Sequence, residues 1–192
     1  MATDVHVLYD VTIARQRGAK LWVIDTYYTE TTKLADEVII VRPGTDGAFA
    51  LGVAYVLVEE GLVNTEFIAR YVQGYEGFRD TVISQYPPSK VAQMTGVPEE
   101  RIVQFARAYG QAIAPFIRLG SGLSRYGNGA NTVRCVVALP ALVGAYQHKG
   151  GGLLSSASGS QFVGGKRISW ERFQRKETRL NPMIHLGPML TE

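Results

Sequence analysis

Two short apolar runs, Leu21-Trp-Val-Ile-Asp25 and Glu37-Val-Ile-Ile-Val41, constrain the fold more than any other feature of the sequence. Neither alternates polar with apolar side chains. Each therefore reads as a strand buried on both faces, the environment of a parallel sheet covered by helices. The second run enters the tight turn Arg42-Pro-Gly-Thr-Asp46 and then a helix over residues 47–60, whose Phe49, Val53, Val56 and Leu57 recur at helical spacing until Gly61.

Further helical segments follow. Residues 12–17 read as the end of a helix closed by Gly18, and residues 29–35 as one or two helical turns. Asn64 caps a helix over 65–72, and another runs over 75–85 until Pro87-Pro88. A short helix over 89–94 stops at Gly96, and Pro98 with Glu99 and Glu100 opens one reaching residue 112. Residues 116–119 form a third strand. It leads into a glycine-rich loop, residues 120–129, and a helix over 130–146 that Pro140 should kink. Strands alternating with helices give an α/β class with a Rossmann-like, mostly parallel sheet flanked by helices. Three strands are few for so many helices.

The 192 residues are 46% apolar, enough for one core without staples. Charged residues are 19%, a thin shell that suits a surface covered by something else. The net charge of +3 is spread without a basic stripe, so nucleic acid is not an expected partner. A single cysteine, Cys135, excludes an internal disulfide and any cysteine-ligated cluster built by this chain alone. Cys135 sits among apolar helical positions and reads as a small buried hydrophobe. His6, His148 and His185 lack metal-ligand spacing, so no metal site is expected. No apolar stretch is long enough for a membrane helix, and residues 1–6 lack the pattern of a secretory signal. No set of acid, base and nucleophile is complete, so no catalytic residue is assigned.

Three places can meet a ligand. Asp25 ends a buried strand, where an acid accepts hydrogen bonds from ribose hydroxyls or simply caps the turn that follows. Pro43, Gly44, Thr45 and Asp46 open a helix. Their amides favour polar or anionic ligands, and Asp46 could accept the paired N–H donors of a guanine edge, unless Thr45 or Asp46 only caps the helix. Gly120, Ser121 and Gly122, with Ser124, Arg125 and Asn128, form a loop where backbone could approach a ligand or which is only a flexible connection. A small NAD-binding Rossmann enzyme would need a glycine-rich loop about 20 residues before Asp25. Only Gly18 lies there.

In order and spacing these segments resemble the molybdopterin oxidoreductases of the dimethyl sulfoxide reductase type. The resemblance rests on Gly18-Ala-Lys-Leu-Trp-Val-Ile-Asp25, Thr29-Glu-Thr31, Leu34-Ala-Asp36 and Arg42-Pro-Gly-Thr-Asp-Gly-Ala48. It continues through Tyr71-Val-Gln-Gly-Tyr75, Thr95-Gly-Val-Pro98, Ala106-Arg-Ala-Tyr109, Gly120-Ser-Gly-Leu-Ser124, Leu142-Val-Gly144 and Gly150-Gly-Gly152. It implies a third-domain fragment of a large catalytic subunit that is not active alone. Residues 1–152 would be a nucleotide-binding-like domain holding one molybdopterin guanine dinucleotide, and 153–192 an extended linker to the next domain. Asp25 would bind the guanosine ribose and Asp46 the guanine, with Pro43, Gly44 and Thr45 shaping the pocket. The loop carrying Gly120, Ser121, Gly122 and Arg125 would face the pterin or diphosphate. The parent's cofactor would be the bis-molybdopterin guanine dinucleotide with molybdenum or tungsten, with a [4Fe-4S] cluster N-terminal to this stretch. Its partners would be the remaining domains and iron–sulfur and membrane-anchor subunits.

The family's first strand, with its Gly-x-Asn-Pro loop, is expected just before residue 1, so the sheet here should lack it. The compartment is left open between prokaryotic cytoplasm and periplasm, because an export signal would lie upstream. Thr26-Tyr27 stand where the family has Pro-Arg. That departure supports an alternative, a non-catalytic interaction module with the same fold.

Overall fold

The computed structural model describes residues 5–155. Helix α1 spans Val5–Gln16, and the strands β1, Trp22–Asp25, and β2, Glu37–Ile40, follow it with a 3-10 turn, Thr32–Leu34, between them. Five helices come next: α2 Asp46–Glu59, α3 Thr65–Tyr71, α4 Tyr75–Gln85, α5 Pro88–Thr95 and α6 Glu99–Gln111. Then come β3 Phe116–Leu119, the 3-10 turn Ser121–Arg125, α7 Gly129–Leu142, a last 3-10 turn Ala145–Gln147 and β4 Gly152–Ser155.

The α/β class and the parallel pairing hold, but the sheet is divided. Among the described residues β1 pairs only with β2, Trp22 opposite Glu37 and Asp25 opposite Ile40. β3 pairs only with β4, Phe116 opposite Gly152 and Leu119 opposite Ser155. β4 is a strand that the glycine run at 150–152 conceals. Gly152 takes φ +104°, and a side chain there would strike the Tyr146 ring. Its N–H donates to the Pro115 carbonyl (2.9 Å), which sets β4 beside β3. The segment expected to be extended from residue 153 thus begins within β4, and the rest of it lies outside the described residues.

Two helix ends also differ from expectation. Pro88 begins α5 rather than merely stopping α4, since proline suits a first helical position. α7 stops at Leu142 instead of residue 146. Gly144 turns into the left-handed region at φ +67°, and a side chain there would collide with Gln147 and Asn64. The Asn64 cap forms as expected, its Oδ1 accepting the Phe67 N–H at 2.8 Å.

α2 is the axis of the core. Its Phe49, Ala50, Val53, Ala54, Val56 and Leu57 are buried on several faces, and it packs against α4, α5, α6 and α7. Burying a side chain such as Phe49 or Leu57 contributes about 1.5–3 kcal/mol. Phe105 of α6 joins this core to β1, edge-on to Trp22 at 5.3 Å and 5.6 Å from Phe49. Arg101 lies over the Trp22 ring and pairs with Glu37 at 3.0 Å, so α6 also fixes the start of β2. The carboxyl ends of β1 and β2 are thereby held at one rim of the core.

Candidate functional site

That rim carries the first two candidate places together. β1 ends in Asp25, whose carbonyl accepts the Val41 N–H (2.9 Å) and so extends the pairing one residue beyond β2. The Asp25 Oδ1 accepts the Thr26 N–H at 2.8 Å. After Val41 the chain turns sharply. The Arg42 carbonyl accepts both the Thr45 N–H (3.1 Å) and the Thr45 hydroxyl (2.7 Å), with Pro43 second in the turn and Gly44 third at φ +79°. Proline then glycine with positive φ is the signature of a type II turn. Since the Thr45 hydroxyl is spent on the turn, it makes no cap to α2. Asp46 is the first residue of α2, in the turn where a negative charge suits the helix dipole. Burial nonetheless pushes its carboxyl above the ordinary range; its own N–H opposes the shift, and the charge of Asp25 adds to it. The two carboxylates therefore share one local field.

The third place approaches from β3. In the 3-10 turn the Ser124 hydroxyl donates to the Ser121 carbonyl (2.9 Å). Gly129 packs so closely on the Ser124 backbone that a Cβ would overlap it, which tucks the loop under the start of α7. The Tyr126 ring lies against Gly44, and Gly47 against Thr132, so the loop after β3 meets the turn after β2. Gly120, Ser121, Gly122 and Arg125 are exposed along this loop, with open space beside Gly120 and Gly122. Asp25 and the residues Pro43, Gly44, Thr45 and Asp46 are gathered at the strand ends. The loop touches them through Tyr126.

Several site residues were not singled out by sequence reasoning. An open recess of about 370 Å³ is lined by Thr26, Ile40, Arg42, Pro43, Thr95 and Gly96. Thr95 and Gly96 read from sequence as a helix end and as part of the family pattern, and nothing in residue type announces that they reach Arg42. The Thr29 hydroxyl, four residues beyond Asp25, is buried with no hydrogen-bond partner among the described residues. Tyr27 and Tyr28 are 66% and 75% exposed at the same rim. Cys135 is half-buried against the core and burial raises its thiol, the behaviour of a packing residue. Among the described residues no group of three or more His, Cys, Asp or Glu side chains is placed to hold a metal ion. Among them, too, no helix is long and apolar enough to cross a membrane.

Two pairs of short parallel strands among the described residues, flanked by helices, with β2 running through a glycine turn into α2, define an α/β class. Comparison with known proteins narrows this. Residues 3–185 match the family model described as molybdopterin oxidoreductase, and the chain belongs to that family. It is 41% identical over 159 residues to the probable oxidoreductase YoaE of Bacillus subtilis, covering 83% of this chain and 23% of that protein. It is 35% identical over 167 residues to the putative dimethyl sulfoxide reductase chain YnfE of Escherichia coli, covering 76% of this chain and 20% of the relative. Among solved structures, acetylene hydratase from Pelobacter acetylenicus superposes with a TM-score of 0.70 at 30% identity, covering 73% of this chain and 19% of that one. The chain thus spans about a fifth of the length of the relatives it matches.

Proposed function

We propose that residues 5–155 hold the guanosine half of a molybdopterin guanine dinucleotide within a larger molybdenum or tungsten oxidoreductase. The observation that carries this reading is the convergence of Asp25, Asp46 and the Pro43–Gly44 turn at the ends of two adjacent parallel strands. The donor chemistry fits. Guanine offers adjacent N1–H and N2–H₂ donors to one carboxylate, and ribose offers hydroxyl donors to another. In this reading Asp46 accepts from the guanine and Asp25 from the ribose. Pro43, Gly44 and Thr45 shape the wall, and Gly120, Ser121, Gly122 and Arg125 meet the diphosphate or pterin end. When bound, the metal–pterin group supplies electron or oxygen-atom transfer. The side chains here bind and orient it, the usual division between protein and cofactor. A second cofactor copy, the metal's protein ligand and a [4Fe-4S] cluster belong to other parts of the polypeptide, and iron–sulfur and membrane-anchor subunits are its proposed partners.

An NMR titration with GMP tests the assignment. Shifts are expected at Asp25 and across residues 43–46, with affinity falling at least about tenfold in Asp46→Asn, whose amide meets a donor with a donor. A folded chain that shows no shift at millimolar GMP overturns this reading. That outcome favours a non-catalytic interaction module, for which the exposed Tyr27 and Tyr28 supply contact surface.

A further inference from the structure

We propose that Arg42 is a positioning residue for the nucleotide turn, locking the exit of β2 to the carboxyl end of α5. The inference rests on the guanosine reading of the preceding subsection. Its own evidence is a set of contacts centred on one residue. The Arg42 Nη1 donates to the Gln93 carbonyl at 2.6 Å and reaches the Met94 carbonyl at 3.5 Å. Its backbone N–H donates to the Thr95 carbonyl at 2.8 Å. The last carbonyls of a helix have no partner within the helix and carry the negative end of its dipole, so a guanidinium there makes charge-assisted bonds. Gly96 completes the arrangement: at φ +76° it ends α5, and a Cβ on it would lie 3.3 Å from the Arg42 Nε. The side chain of Arg42 therefore crosses the end of α5 beside a left-handed position that favours glycine, where a Cβ would press on the guanidinium.

Arg42 is also the residue whose carbonyl closes the turn, accepting from both groups of Thr45. One residue thus ties the turn to α5 by its amide and guanidinium and shapes the turn by its carbonyl. With Arg42 fixed, Pro43, Gly44 and the start of α2 have one direction in which to present Asp46. With its Nη1 held by the Gln93 and Met94 carbonyls, the effect of Arg42 on a nucleotide runs through the turn and not through a phosphate.

The test compares wild type, Arg42→Gln and Arg42→Lys of this chain. Amide exchange at Thr45 is followed, along with NMR titrations of guanosine and of GMP. In Arg42→Gln, Thr45 exchange should quicken and both ligands should weaken by the same factor, about tenfold. Lysine, which can still donate to the Gln93 carbonyl, should recover much of both losses. Loss of GMP affinity with guanosine unchanged would mean the guanidinium acts on phosphate, and overturns the proposal, as does unchanged binding of both. If wild type binds neither ligand, the guanosine reading fails by itself. The exchange at Thr45 then decides Arg42, and an unchanged rate overturns its role. Should Arg42→Gln not fold, Gly96→Ala displaces the guanidinium from the other side and is expected to quicken Thr45 exchange in the same direction.

Discussion

Two aspartates are pushed in opposite directions by their surroundings, and pH separates their contributions. Asp36 accepts from Arg15 at Nε (3.2 Å) and Nη2 (2.9 Å) and from the Leu21 N–H (2.8 Å). The Arg15 guanidinium, then the Leu21 amide, draw its carboxyl from the ordinary 3.8 down to about 2. A lowered value in the folded state means that its stabilisation is present above the ordinary range and is lost as pH falls from about 4 through about 2. Asp36→Asn should therefore melt lower than wild type at pH 7, and the gap should narrow as pH falls toward about 2 and close only below it. Asp46 has the reverse sign. Burial raises it, so its ionised form works against the fold, and its contribution is lost as pH rises through the raised value. Asp46→Asn is expected to melt higher than wild type at neutral pH, with the difference vanishing below the ordinary carboxylate range. The same substitution should weaken guanosine binding. Stability gained where binding is lost is the pattern of a site kept for function. A neutral-pH melt of Asp46→Asn at or below that of wild type would remove the argument.

At the scale of elements, α2 is held by a glycine that no helix propensity would choose. A Cβ on Gly52 would lie 2.8 Å from the Val91 Cγ1, and Val91 is fully buried in α5. Alanine is preferred to glycine inside a helix by about 1 kcal/mol, but here the contact decides the sign. Gly52→Ala should destabilise by about 1–3 kcal/mol, as overpacked cores do. Adding Val91→Ala should recover part of the loss, so that urea midpoints of the single and double variants reveal non-additive coupling. These packing facts explain what the sequence made legible. β1 and β2 were readable from their apolar runs, β3 from the short segment 116–119, and the α3 and α5 ends from Asn64 and Gly96, because each signal is local. β4 was not, since Gly150-Gly-Gly152 has the composition of a loop and its strand character comes from Pro115, far away in sequence. The gathering of Asp25 and Asp46 was legible only through the ordered family pattern. The hold of α5 on Arg42 was not legible at all, because backbone carbonyls fifty residues away carry no residue-type signature.

At the scale of the whole molecule, the two separate parallel pairs among the described residues are an unusual end point. Parallel strands are ordinarily covered on both faces and continued by further strands. Here Phe116 and Leu154 on the β3–β4 pair are 51% and 54% exposed, and Ile113 before it is 83% exposed. In a doubly wound order the first strand lies between the second and the fourth, so β1 and β3 are the edges such a strand would join. In a polypeptide of the relatives' length, the outward-facing amides of β1 and β3 should exchange at least about a hundredfold more slowly than in this chain. Equal rates in the two would show that the sheet is complete as two pairs. Uncovered strand edges with apolar side chains also template pairing with other chains. This chain should therefore associate with rising concentration by light scattering. Phe116→Lys and Leu154→Lys should suppress that association while changing stability by no more than about 0.5 kcal/mol, as exposed substitutions do. If both variants associate like wild type, the β3–β4 surface is not the point of contact, and the thin charged shell must be answered by another face.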